Sequence, residues 1–291
     1  MHCIEFKEVI MPTFQNQATL YSNNSISRSN VVTGQFTEAL SLTKTAVMDD
    51  YIQGDDITYI VTLVNSASSA VTGITLTDDM GAYTFGEGED ATTLYPLEYV
   101  EGSVHYYVNG VLQTAPTVTG TQPLVITGIN VPANGNAMIV YEADATVFAD
   151  PTVDGSITNT VTAANDNISA EATEVIGTED EPRLTISKAL EPTALNELES
   201  LTYTFIIQNH GNTAATAADG VYIVDEFDPA INITSVLIDG DAFTAYTYED
   251  AIFTTTVGAI TVPAATFEQD PTTGAWITVP GVTTVTVTGT I

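Results

Sequence analysis

The stretch Leu40–Met80, LSLTKTAVMDDYIQGDDITYIVTLVNSASSAVTGITLTDDM, decides the fold class. Apolar side chains recur at every second position in short runs, so each run presents one face to a core and the other to solvent. Leu42 and Lys44 share one face; Ile57, Tyr59, Val61 and Leu63 share another; Ile74, Leu76 and Asp78 form a third set. Gly, Asn, Asp and Ser break these runs at intervals that suit strands joined by turns, and no helical period competes. The pattern predicts an antiparallel sheet with one wet face.

The stretch has a second copy. Pro182–Phe227, PRLTISKALEPTALNELESLTYTFIIQNHGNTAATAADGVYIVDEF, places Lys188 fifteen residues before Tyr203, as Lys44 stands before Tyr59. Six residues separate Tyr59 from Asn65 and Tyr203 from Asn209. Its alternating sets are Ile186 and Lys188, then Leu201, Tyr203, Phe205 and Ile207, then Val221, Ile223 and Asp225. A repeat of this length, punctuated at these intervals, reads as two tandem β-sandwich domains. The expected organisation is a leader over 1–11, an extended β arm over 12–39, a first domain over 40–178 and a second over 179–291.

The whole chain agrees with an all-β class. Among 291 residues, 44% are apolar and only 14% charged, which is a core-forming composition. Five Lys and Arg stand against 37 Asp and Glu, a formal charge of -32, and this excludes a phosphate-binding surface for nucleic acid. No apolar run is long enough to insert in a membrane. The first ten residues, MHCIEFKEVI, lack the apolar core and cleavage site of a signal peptide, and Met11 is an alternative start. The one cysteine, Cys3, lies in that leader, so no disulfide framework is expected and stability requires another staple.

The run LTKTAV…GDDITYIVTLVNSASSAVTGITLTDDMG…GSITNTVTAAN resembles the conserved-repeat domain of bacterial surface proteins called domain of unknown function eleven. The resemblance covers most of 40–178 and, more loosely, 182–291. It implies immunoglobulin-like struts in tandem, as in adhesin stalks and surface layers, and no enzymatic activity.

The two copies end differently. After Val131–Phe148 the first continues into Gly155–Thr178, GSITNTVTAANDNISAEATEVIGT, which supplies closing strands. The second reaches the counterpart, Val279–Ile291, without such a segment. The segment that matches lies at the other end of the chain: Phe14–Leu20, FQNQATL, aligns with Ile157–Ala163, ITNTVTA. Asn16 precedes Lys44 by 28 residues and Asn159 precedes Lys188 by 29. The expectation is that residues 12–36 of one copy complete the second domain of another, through Phe14, Asn16, Ala18, Leu20 and Ile26. Such strand donation satisfies an open sheet edge and propagates head to tail. Folding back on the same chain, or disorder, are the other readings of the arm.

The two repeat lysines carry the candidate chemistry. Each is expected to face inward, Lys44 toward Asp78 and Lys188 toward Asp225, and a buried ammonium demands such a partner. A Lys, an Asn and a carboxyl group in an apolar core can condense to an isopeptide bond, because burial favours the neutral amine nucleophile. Some immunoglobulin-like surface domains resemble this arrangement, with a Lys on the first strand and an Asn on the last. Lys44, Asp78 and Asn159 form the set within the first domain. Lys188 and Asp225 have no counterpart of Asn159 in the last strand of their own domain, where Thr283 and Thr284 stand, and the matching residue is Asn16 of a neighbouring copy. A plain Lys44–Asp78 ion pair with Asn159 beside it is the competing reading. Asn65 and Asn209 sit where a strand meets a turn and suit the role less.

Other chemistry finds less support. His2, His105 and His210 are scattered, and no zinc spacing exists. No nucleophilic triad or phosphate loop has the right context. The acidic clusters at 48–56, 86–90 and 150–155 offer oxygen ligands to calcium, but none has EF-hand spacing, and a solvated acidic surface that keeps fibres apart suits them better. Gly177–Arg183 reads as a short linker stiffened by Pro182. The functional expectation is a self-polymerising filament subunit on a cell or spore surface, outside the cell although no export signal is visible. The alternative is a monomeric surface adhesin or ligand-binding stalk whose aromatic segment Tyr95–Gln113 meets a ligand; that segment also reads as a hairpin turning at Asn109–Gly110. A hydrolase is the third reading, without a catalytic constellation.

Overall fold

A computed structural model describes residues 13–22, 25–35, 39–193 and 200–291. Among them the structure is strands and turns, with two single-turn 3-10 segments and no α-helix. Two separate apolar cores form, one drawing on Leu40 through Ile176 and the other on Leu201 through Val287. The alternating sets fill them: Ile57, Tyr59, Val61, Leu63, Ile74 and Leu76 are buried in the first, Leu201, Tyr203, Phe205 and Ile207 in the second.

Each core lies between two sheets. In the first domain one sheet runs Val111–Leu112, His105–Val108, Gly135–Ala145, Asp56–Asn65, Leu40–Ala46. The opposing sheet runs Thr117–Thr121, Leu124–Val131, Val71–Asp78, Ser156–Ala164, Ser169–Thr178, Asp50–Tyr51. The second domain repeats the first of these: Leu184–Glu191 pairs with Ser200–Asn209, which pairs with Gly281–Thr290. Register repeats as well, since Lys44 lies opposite Val61 and Lys188 opposite Phe205, the same number of residues along. Its second sheet is shorter: Tyr246–Glu249, Ile252–Thr255 and Val224–Glu226, where it stops.

The hairpin at Asn109–Gly110 forms as its residues require. Both have positive φ, 47° and 77°, and they join His105–Val108 to Val111–Leu112. Asn65 and Asn209 tie strand ends to turns: the Asn65 amide donates to the carbonyls of Ser69 and Pro132, that of Asn209 to those of Thr213 and Pro263.

The domains touch through a hairpin of the second, Thr266–Gln269 with Trp276–Val279. The Trp276 backbone N–H donates to the Val147 carbonyl at 2.9 Å, and Gln269 Nε2 donates to the Tyr83 hydroxyl at 3.1 Å. Gly274, at φ 72°, sits where an added Cβ would come within 2.4 Å of Leu94. The linker is pinned too, with Arg183 N–H on Asn209 Oδ1 and Asn212 Nδ2 on Asp180 Oδ1.

One polar feature of the first domain went unread in the sequence. Strand register places Asp144 opposite Asp56 on one side and Glu98 on the other. A hydrogen bond shared with Asp56, then burial, hold the Asp144 carboxyl above the usual carboxylate range. A folded-state pKa above the unfolded one contributes stability below the unfolded value, and that contribution is lost as pH rises through the folded value. Asp144→Asn is therefore expected to raise the melting temperature at pH 7 by about 2–4 °C, from about 1 kcal/mol of relieved cross-strand repulsion. The gain should shrink toward pH 4; scanning calorimetry at both pH values checks it.

Candidate cross-linking site and acceptor groove

Lys44 is brought to Asp78 from across the sandwich. Its strand, Leu40–Ala46, forms the edge of one sheet, while Asp78 ends Val71–Asp78 in the other. The Lys44 Nζ donates to Asp78 Oδ2 at 2.6 Å, and the lysine side chain is 0% exposed. Asp78 Oδ2 also accepts the Tyr141 hydroxyl, and Asp78 Oδ1 accepts the Met80 backbone N–H at 3.0 Å. The ammonium lies 4.8 Å from the Tyr59 ring centre. Burial pulls the Lys44 pKa down, opposed by the Asp78 charge, so the neutral amine is more accessible here than in water.

Asn159 completes the set. It stands on Ser156–Ala164, the strand that pairs with Val71–Asp78 and places Val161 opposite Asp78. Asn159 is 0% exposed, yet neither its Oδ1 nor its Nδ2 has a hydrogen-bond partner. The Tyr59 and Tyr141 hydroxyls both adjoin this carboxamide without completing a hydrogen bond of normal geometry to it. A buried carboxamide left unpaired costs about 1–3 kcal/mol. The first domain thus holds a buried Lys44–Asp78 ion pair and, on the strand beside that of Asp78, a buried carboxamide without a partner.

The second site repeats half of this. Lys188 Nζ donates to Asp225 Oδ2 at 2.5 Å and lies 4.4 Å from the Tyr203 ring centre, with Phe227 and Phe205 at 5.4 and 5.6 Å. The expectation that Lys188 is buried like Lys44 is corrected: its side chain is 38% exposed. The reason is structural. Over Lys44 lie Ser156–Ala164 and Ser169–Thr178, whose Glu174 accepts the Ala46 backbone N–H; among the described residues nothing comparable lies over Lys188, and Ile186 on the same strand is 57% exposed. Thr283, buried, gives its hydroxyl to the Thr261 carbonyl and takes no part.

The groove has an open edge. In the first domain Val71–Asp78 pairs on one side with Leu124–Val131 and on the other with Ser156–Ala164. Val224–Glu226, its counterpart, pairs with Ile252–Thr255 on one side and, among the described residues, with no strand on the other.

The arm is a hairpin. Thr13–Asn16 pairs with Val32–Gln35, and Thr19–Ser22 with Ser25–Arg28. Asn16 and Ala18 are exposed, Tyr21 and Ile26 are 73% and 66% exposed, and among the described residues no strand of either domain pairs with the arm. The side chains of Phe14 and Leu20 lie outside the described residues, as do the leader with Cys3 and His2. Within this chain the structure therefore does not bring Asn16 to Lys188. The remaining candidates are dispersed: His105 Nδ1 lies 2.8 Å from the Ser103 carbonyl, and among the described residues no three His, Cys, Asp or Glu side chains could hold a metal ion. No described helix is long and apolar enough to cross a membrane.

Sequence reasoning did not single out Tyr141. It lies in NAMIVYEADA, where period two puts it on the inward face, and a hydroxyl pointing inward among apolar positions was the available signal.

No family model matches the chain, and no curated protein matches it. Among solved structures, the pilus backbone protein RrgB of Streptococcus pneumoniae aligns at 12% identity, covering 83% of this chain and 55% of its own, with a TM-score of 0.34. The major pilin subunit BcpA of Bacillus cereus aligns at 10% identity over 92% and 73%, TM-score 0.34. The sporulation control protein Spo0M of Bacillus subtilis aligns at 11% over 66% and 80%, TM-score 0.31. The chain spans about half the length of the first of these.

Proposed function

We propose that this chain is a structural subunit of an extracellular filament, in which the arm of one copy completes the second domain of the next. The observation that carries this reading is the sheet that stops at Val224–Glu226, at the position where the first domain continues into its closing hairpin. The arm has the sequence of that hairpin and is itself a hairpin with exposed apolar side chains. Transferring the register of Ser156–Ala164 on Val71–Asp78 sets Ala18 opposite Asp225, Thr19 opposite Val224 and Leu20 opposite Ile223. That places Asn16 relative to Lys188 as Asn159 stands to Lys44. Donated backbone pairs the open edge, and the arm's apolar side chains cover Ile186. The contact is heterologous, so it propagates. The resemblance to tandem surface-protein repeats agrees with an extracellular strut.

In this reading each site ends as an isopeptide bond, Lys44–Asn159 within a subunit and Lys188–Asn16 between subunits. The covalent links then stand in for the intrachain disulfides that a single cysteine does not allow. Electron microscopy of purified protein is expected to show filaments that survive boiling in detergent and run as a ladder on denaturing gels. A peptide joining Asn16 to Lys188 should weigh one ammonia less than its parts. Lys188→Ala should keep filaments yet reduce the boiled ladder to monomer. Monomers alone from wild-type filaments on denaturing gels would sink the covalent part of the reading, and absence of filaments under all assembly conditions would sink the whole.

A further inference from the structure

We propose that the hydroxyls of Tyr59 and Tyr141 form a two-donor oxyanion hole for Asn159 and so set the rate of the Lys44–Asn159 bond. This inference rests on the isopeptide reading of the first domain. Its basis is the geometry around a carboxamide that has no hydrogen-bond partner although it is 0% exposed. The two tyrosine rings stack on each other with centres 5.6 Å apart, on facing positions of adjacent strands. Lys44 Nζ sits over the first ring, and the second hydroxyl is held by Asp78. The Tyr59 hydroxyl is buried and also lacks a partner. A carboxamide without a partner therefore adjoins a hydroxyl donor without an acceptor.

The chemistry assigns the steps. The Lys44 ammonium passes a proton to Asp78 Oδ2, its hydrogen-bond partner, and the free amine attacks Asn159 Cγ. Negative charge develops on Asn159 Oδ1. Once Asp78 carries a proton it no longer needs the Tyr141 donor, and that O–H can rotate toward Oδ1 beside the O–H of Tyr59. The new Nζ–Cγ bond forms and the Cγ–Nδ2 bond breaks. The leaving nitrogen takes the proton held by Asp78 and the one shed by the attacking nitrogen, and departs as ammonium. Asp78 returns as carboxylate, and no oxidant or cofactor is needed. Preorganised donors of this kind cost no reorganisation when charge appears. Burial raises both phenol pKa values, so both groups remain donors across the physiological range.

The second site differs at one of the two positions. Tyr203 pairs with Val287 as Tyr59 pairs with Tyr141, so Val287 stands where the second hydroxyl would be. The bond at Lys188 is accordingly the slower of the two.

The test is a time course of ammonia loss, by intact mass, on full-length chain made by cell-free synthesis. Tyr59→Phe and Tyr141→Phe are each expected to slow the loss by about 10²–10³-fold, the usual effect of removing one oxyanion donor. Packing effects are read separately by placing each change in a Lys44→Ala chain, where that bond cannot form; the melting temperature of the Tyr59→Phe form there should match its parent, and any fall with Tyr141→Phe measures its lost hydrogen bond to Asp78. If the wild type never loses ammonia, the isopeptide reading itself fails. If it does, and both phenylalanine variants lose ammonia as fast, the oxyanion hole is wrong. Should a variant not fold, wild-type chain carrying fluorotyrosine, a more acidic donor, must cross-link faster, and an unchanged rate overturns the proposal.

Discussion

A chain lacking residues 12–36 is expected to remain monomeric and to form no filaments at any concentration that assembles the wild type. The physical reason lies in the second domain. The free edge of Val224–Glu226 and the exposed strand Leu184–Glu191 have no other occupant among the described residues. Without a donated arm that edge keeps unpaired backbone groups and Ile186 stays in water. A synthetic peptide of residues 12–36 should bind the truncated chain and stabilise the second domain. At a hundredfold excess over its dissociation constant the gain is about 2.7 kcal/mol, which in a domain of this size raises the melting temperature by about 10–20 °C. Replacing Ala18 by Asp in that peptide, opposite Asp225 in the transferred register, should abolish the gain through like-charge repulsion at a buried edge. Filaments from the truncated chain would mean that assembly uses another surface.

Asn159→Leu tells a bond from an ion pair by the sign of its effect. If Asn159 is joined to Lys44, the link closes a loop of more than a hundred residues, and its loss costs about 4–5 kcal/mol by loop entropy. The melting temperature of the first domain should then fall by about 10–20 °C, with the missing ammonia restored to the mass. If Lys44 and Asp78 form only an ion pair, the same substitution removes a buried carboxamide that has no hydrogen-bond partner. Replacing an unsatisfied polar group by an apolar one of similar volume is neutral or stabilising. Lys44→Ala is the complementary variant: it strands the Asp78 carboxylate in the core, which costs about 3–5 kcal/mol whether or not a bond forms. Only the asparagine variant separates the two.

Much of this architecture was legible from residue order. Period two along Ile57–Leu63 and Leu201–Ile207 placed the inward faces, and the equal spacing of Lys44–Tyr59 and Lys188–Tyr203 carried the repeat. The match of Phe14–Leu20 to Ile157–Ala163 related the arm to the closing strand of the first domain. What sequence could not show was how deeply each lysine is buried. Lys44 and Lys188 have the same local pattern and the same register, yet one is 0% and the other 38% exposed. Burial is a property of what covers a strand, and the cover comes from segments more than a hundred residues away.

The same limit applied to chemistry that crosses the sandwich. Alternation assigns a side chain to a face but not to a neighbour on the opposing sheet. Tyr141 reaches Asp78 over 63 residues of chain, and Asp144 meets both Asp56 and Glu98 because Gly135–Ala145 lies between their strands.

By itself the sequence determined the all-β class, the two-fold repeat, the inward faces and the identity of the segment that matches a closing hairpin, because each depends on short-range periodicity or on spacing along one chain. The tertiary structure alone decided that the first domain encloses its lysine together with an unpartnered carboxamide, and that among the described residues the second sheet stops at Val224–Glu226 with Lys188 partly exposed. Those facts depend on which strands lie across the core from one another, and that is set by packing between sheets.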